Sequence, residues 1–186
     1  VRMSRRRPGP GNRDAAAARK VIEEDRKIDE TELEIEEYSL LLLAKYQPQA
    51  SDLRFVTYAM KINAELERIA DLAVNISEQS LGIMKQPLLK PLVDIPKMSQ
   101  ISQEMVRDVI NAFVARDVAL AKKVILADHE VDQLRNRIQD ELIYDYVVKE
   151  PKDAPRVIAL LLVARHLERI GDHATNIAEI IHYEIT

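Results

Sequence analysis

The sequence contains no cysteine and no tryptophan, and only 2 phenylalanines and 4 glycines among its 186 residues. Without cysteine there is no disulfide framework, no thiolate metal site and no thiol nucleophile, which fits a reducing, cytoplasmic setting. So few glycines leave little from which to build a phosphate-cradling loop, and GxxxxGK[ST], GxGxxG and GxSxG are all missing. No residue therefore stands out as catalytic, and a non-enzymatic protein is expected. No apolar run approaches the roughly 18 residues a membrane-spanning helix needs. No apolar stretch follows the N-terminal arginines as it would in a secretory signal. Any membrane contact is expected to be peripheral. The formal net charge of −4 gives no general case for nucleic-acid binding.

Hydrophobic residues make up 47% of the chain and charged residues 31%, with Ala, Leu, Ile, Glu, Asp, Lys and Arg dominant. That profile favours long helices over sheets. One basic cluster, Arg2, Arg5, Arg6, Arg7 and Arg13, is interleaved with Pro8, Gly9, Pro10 and Gly11. Composition predicts an irregular tail over residues 1–12; an anchor to anionic lipid or an acidic partner is the alternative.

The chain repeats itself. NRDAAAARKVIEEDRKID, from Asn12, lies over ARDVALAKKVILADHEVD, from Ala115, at an offset of 103 residues. LERIADLAVNISE, from Leu66, lies over LERIGDHATNIAE, from Leu167, at an offset of 101. The two-residue difference falls in the turn near Pro48 in one copy and Pro151 in the other. A period this long indicates a duplicated small domain rather than a short-repeat solenoid. Residues 13–86 form a first repeat and residues 88–186 a second.

Each copy reads as two long helices joined by a proline turn. In the first they run from about Asp14 to Lys45 and on to about Met84, with Ser51 or Asp52 as N-cap and Pro87 and Pro91 closing the copy. In the second they run from about Asp117 to Val148 and on to about Tyr183. At 1.5 Å per residue, about 30 residues make a rod of roughly 45 Å, a length typical of bundles. A further amphipathic segment, from about Leu92 to Val114, places Ile101, Met105, Val109 and Ala112 at helical spacing. It precedes the second copy only. The expected architecture is all-α: two tandem three-helix bundles, the first without its opening helix. Two helices alone leave an apolar groove that another subunit, a swapped helix or distorted packing must cover. A homodimer is the expected assembly.

The doubled motif is acidic. Glu168, Asp172, Asn176 and Glu179 form one stripe of the last helix, and Glu67, Asp71, Asn75 and Glu78 repeat it. The preceding helices carry Asp25 and Asp29, then Asp128 and Asp132. If the helices pack antiparallel, four carboxylates converge on one seam per copy. Such oxygen ligands suit hard cations, iron, manganese or zinc. The same pattern also fits a plain solvated helix face, and spacing does not separate the two. Glu179 and His182 have the ExxH spacing of ferritin-like di-iron sites, but the first copy has Glu78 and Leu81 there, so a di-iron oxidase is not indicated.

KYQPQASDLRFV, from Lys45, followed by the two LERI[GA]D segments, resembles the PhoU family of phosphate-uptake regulators. The resemblance covers nearly all of the chain from Asn12. It implies tandem three-helix bundles with pseudo-twofold symmetry. It implies a cytoplasmic negative regulator acting between a phosphate ABC transporter and a sensor histidine kinase. It also implies iron or zinc ions, in clusters, on acidic E/DxxxD faces: Asp25, Asp29, Glu67 and Asp71 in one half, Asp128, Asp132, Glu168 and Asp172 in the other. Asn75 and Asn176 are weaker candidates, and other divalent cations are open. Gln47, Pro48, Asp52 and Arg54 are candidate partner contacts at the first turn, since EPKDAPRV replaces QPxAxDLR in the second half. Ala70 stands where the family usually has glycine. A metal-independent interaction module is the rival reading.

Overall fold

The computed structural model describes the backbone of residues 10–85, 89 and 93–185, and side chains within 15–183 of those stretches. Five long helices account for nearly all of it: α1 Pro10–Tyr46, α2 Ser51–Ile83, α3 Asp94–Ala115, α4 Val118–Glu141 and α5 Ala154–Ile185. The first nine residues of the expected basic tail lie outside the described residues, and α1 already begins at Pro10. Pro87 and Pro91, expected to close the first copy, also lie outside them.

The turns follow local chemistry. Asp117 caps α4 by accepting a hydrogen bond from the Leu120 N–H at 3.0 Å, and Arg116 takes the left-handed conformation that ends α3. At the start of α2 the expectation of Ser51 or Asp52 as cap is corrected. The cap is Ala50 at φ 50°, without a side-chain hydrogen bond, and both Ser51 and Asp52 lie inside the helix. The turn is closed by backbone instead: Asp52 N–H donates to the Gln49 carbonyl and Arg54 N–H to that of Ala50. In the second copy α4 runs into a π-helical stretch, Leu142–Val147, before the short 3₁₀ turn Pro151–Asp153.

Helices α3, α4 and α5 pack pairwise against one another as a three-helix bundle, α1 and α2 form a hairpin, and α2 lies along α5 to join the halves. The core sits mainly in the second bundle. Met98, Met105, Val109 and Ala112 of α3 meet Val124, Val131, Leu134 and Ile138 of α4 and Val157, Leu167, Ala174, Ile177 and Ile181 of α5. Buried Ser102 donates to the carbonyls of Met98 (3.0 Å) and Leu167 (3.1 Å), so its hydroxyl is satisfied across the α3–α5 contact. Phe55 of α2 stacks on Phe113 of α3 with ring centroids 5.9 Å apart, and the Arg116 guanidinium lies 5.6 Å over the Phe55 ring.

No described helix covers the α1–α2 hairpin as α3 covers α4 and α5. The result is an open apolar groove of about 600 Å³, walled by Val21 of α1, Ile69 and Ile76 of α2, and Val106 and Ile110 of α3. A second hollow, lined by Ile35, Ile62, Leu66 and Phe113, lies along the same hairpin. The all-α architecture stands as read from the repeat, and among the described residues no helix covers the first hairpin. No helix among the described residues is long and apolar enough to cross a membrane.

Candidate metal centre

Acids at i and i+4 share a helix face, and antiparallel packing brings the face of one helix toward that of its neighbour. Asp25 and Asp29 on α1 lie within electrostatic reach of Glu67 and Asp71 on α2. Asp128 and Asp132 on α4 lie within electrostatic reach of Glu168 and Asp172 on α5. The electrostatics record this convergence. Burial raises the Asp128 carboxyl to about 6, with help from Asp132, Asp172 and Glu168 and against the pull of His129. Asp172 is raised by burial, then by Glu168 and Asp132. Asp25 is raised by burial and by Asp29 and Asp71. Glu67 is raised by burial and by Asp71, with further repulsion from Glu32 and Asp29 and relief from Arg68.

Gly171 makes room for the second seam. A Cβ built there would stand 3.0 Å from the Asp128 Oδ1, closer than ordinary packing allows. The equivalent residue in the first seam is Ala70, which carries that methyl.

The acids are close enough to repel, yet among the described residues no three ligating side chains gather at ion-binding distance. Glu168 is already engaged: its Oε1 accepts from Arg135 Nε at 3.1 Å and Nη2 at 2.9 Å. In the first seam, Arg68 stands 3.6 Å from Glu67 and 3.9 Å from Asp71. Asp25 Oδ1 is closed off from solvent and has no hydrogen-bond partner. An orphaned carboxylate oxygen of this kind, beside like charges, fits an oxygen-liganded cation.

Asn75 and Asn176 turn elsewhere. Asn75 Nδ2 donates to the Asp71 carbonyl at 2.9 Å, and Asn176 Nδ2 donates to Glu65 Oε2 at 3.1 Å. Glu65 also meets His173 Nδ1 at 2.7 Å, a polar link between α2 and α5 that residue spacing did not suggest. Its counterpart across the pseudo-twofold is His166 opposite Leu72; burial and Arg169 and Arg165 hold that imidazole below its usual range. At the α1–α2 turn Gln47, Asp52 and Arg54 are exposed and Pro48 half-buried, so that corner is open to a partner. The spacing also missed Arg135 and Glu32, although the 103-residue offset places them on each other.

The described residues form an all-helical, internally duplicated fold whose repeated chemistry is a pair of carboxylate seams. The PhoU domain model matches residues 11–80 and 95–181, that is, the α1–α2 hairpin and then the three-helix bundle. The chain belongs to the PhoU domain family. It is 44% identical over 152 residues to the phosphate-specific transport system accessory protein PhoU homolog of Aquifex aeolicus, covering 82% of this chain and 68% of that protein. The Escherichia coli (strain K12) phosphate-specific transport system accessory protein PhoU is 36% identical over 174 residues, covering 94% and 72%. The crystal structure of PhoU from Pseudomonas aeruginosa superposes with a TM-score of 0.89 at 33% identity, over 94% of this chain and 84% of that one.

Proposed function

We propose that this chain is a cytoplasmic, non-enzymatic negative regulator of phosphate uptake and phosphate-starvation signalling, an adaptor between a phosphate ABC transporter and a sensor histidine kinase. The observation that carries the reading is the family match across both halves, with relatives named as accessory proteins of the phosphate-specific transport system. A further relative of known structure, from Streptococcus pneumoniae, is named as a phosphate transport system regulatory protein. The exposed turn of Gln47, Asp52 and Arg54, with Pro48, is the corner offered to a partner, and a homodimer would cover the open groove. In a strain lacking its own PhoU, this chain should restore repression of a phosphate-starvation reporter in phosphate-rich medium. It should also co-purify with the transporter and the kinase. Failure of both would sink the reading.

Iron or zinc ions on the seams belong to the same proposal. Asp25, Asp29, Glu67 and Asp71 would hold one site, and Asp128, Asp132, Glu168 and Asp172 the other. A bound cation would supply charge neutralisation, joining two helices that otherwise repel. Metal content of purified protein should drop in Glu168→Ala/Asp172→Ala with helicity retained; unchanged content would remove those residues from the site.

The rival, a metal-independent module whose acidic face binds a basic partner, is favoured by one observation: Arg135 already neutralises Glu168. Partner binding that weakens with salt and ignores chelator would support it. A ferritin-like enzyme is disfavoured because none of the eight acids is fully buried in the core, and Asp29 and Asp172 are exposed.

A further inference from the structure

The second hairpin carries a cleft between α4 and α5. Ile143, Ile158, Leu161 and Leu162 make its floor, Arg135 and Arg165 stand on its rim, and its volume is about 200 Å³. Ile143 belongs to the π-helical stretch Leu142–Val147. Such wide turns break the regular spacing of a helix face and recur at functional sites. The equivalent stretch of α1, residues 39–44, is regular α-helix. Ile158 and Leu162 are exposed, so the floor presents apolar surface to water. Arg135 is bonded to Glu168, whereas Arg165 is exposed and has no ion pair among the described residues.

The first half carries the complement. Leu33, Glu36, Glu37, Leu40 and Leu41 lie at i, i+3, i+4, i+7 and i+8, one stripe of α1. Its leucines are more than half exposed, and both glutamates are exposed. At the 103-residue offset, Glu32 and Glu36 stand where the second half has Arg135 and Gln139, so the two halves differ in charge at equivalent places. The stripe lies roughly 120–160° round α1 from Ile35, away from the open groove. Within one chain stripe and cleft are held apart. Helices α2 and α5 run antiparallel: Ile62 and Ile177 line one hollow, Ile76 and Leu167 another. Asn63 of α2 donates to the Glu32 carbonyl, which places the stripe toward the Ile177 end, whereas the cleft lies along the start of α5 at the opposite end.

We infer that a second copy of this chain seats its α1 stripe in this cleft. Leu40 and Leu41 fill the apolar floor, and Glu36 and Glu37 meet Arg165 on the rim. Each copy offers one stripe and one cleft, so a twofold pair makes two identical junctions and closes as a dimer. The apolar centre supplies the contact, and the opposed charges fix its register. This rests on the homodimer reading above and gives that dimer a surface apart from the groove.

The test is sedimentation of the full chain over a range of concentrations, with helicity checked by circular dichroism. Wild type should be a dimer. Leu40→Asp/Leu41→Asp and, separately, Leu162→Asp should each weaken it at least tenfold. Mixing those two variants should restore association through the one junction left intact. Glu36→Arg/Glu37→Arg should weaken the dimer severalfold, and adding Arg165→Glu should recover part of that loss. These charge changes carry the test if an aspartate in place of leucine unfolds the protein. Val21→Asp/Ile28→Asp, on the groove, should leave the dimer within twofold. A dimer lost in the groove variant and kept in the stripe and cleft variants overturns the proposal, while leaving the homodimer reading standing. Stripe and cleft variants that fail to complement each other on mixing overturn it too. A wild type that stays monomeric at every concentration overturns both and leaves the cleft to a different protein.

Discussion

Val21, Ile28 and Ile35 on α1 occupy the positions that Val124, Val131 and Ile138 occupy on α4, yet their surroundings are opposite. The α4 residues are no more than 1% exposed, whereas the α1 residues are 38%, 43% and 40% exposed. The side chains are nearly the same, so the difference comes from the neighbour: α3 lies over the second hairpin, and no described helix lies over the first. Position 39 differs in polarity rather than burial. Ser39, only 7% exposed, donates its hydroxyl to the Ile35 carbonyl at 2.7 Å and stands where the second half has fully buried Leu142. An apolar face is thus a statement about what a helix is able to bury, and its energetic worth depends on what covers it.

The largest expected effect tests that directly. Ile138→Ala should destabilise the chain by about 2–5 kcal/mol in denaturant unfolding, the usual range for a core cavity, while Ile35→Ala should cost roughly 1 kcal/mol or less. Equal costs would show that the first face is covered in solution. A smaller effect concerns the junction between halves. Phe55→Ala removes a stacked pair, and aromatic pairs contribute about 0.5–1.5 kcal/mol beyond their buried area. Hydrogen exchange should accelerate at the start of α2 with little change in the core of α4.

The seams predict a pH dependence. An aspartate titrates near 3.9 in an unfolded chain, whereas the folded state holds the Asp128 proton up to about 6. The folded state therefore binds more protons in that window, and chelator-treated protein should gain stability as pH falls from about 6 to 4. Above that window the carboxylate repulsion is fully felt. Asp128→Asn should raise the Tm at pH 7 and flatten the slope; a profile unchanged from wild type would mean that the seam is already neutralised by something else. The smallest effect belongs to surface ion pairs. Lys123 reaches Asp108 between α4 and α3 at 2.8 Å, whereas Lys20 and Glu24 pair along α1 at 3.7 Å. Lys123→Ala and Lys20→Ala should each shift the thermal midpoint only slightly, with the interhelical pair the larger effect.

Much of this was legible in residues alone. Helical periodicity, the proline turns and the 103-residue offset placed five helices and a first hairpin that no described helix covers. The acidic stripes were legible because i and i+4 must share a face. The helix start at Ser51 was less so: Ser51-Asp52 has the chemistry of a cap, but the positive φ of Ala50 places it one residue earlier. Spacing also said nothing of Glu65, because His173 and Asn176 reach it from another helix, and such a meeting depends on how α2 lies along α5.

By itself the sequence determined the class of fold, the duplication and the faces on which acids and apolar groups stand, since these follow from local propensity and a 3.6-residue period. The tertiary structure alone decided which equivalent residues are buried, which acid is held by Arg135 and which oxygen of Asp25 is left without a partner. Those properties are set by distances between helices, through packing and Coulomb forces that no single helix contains.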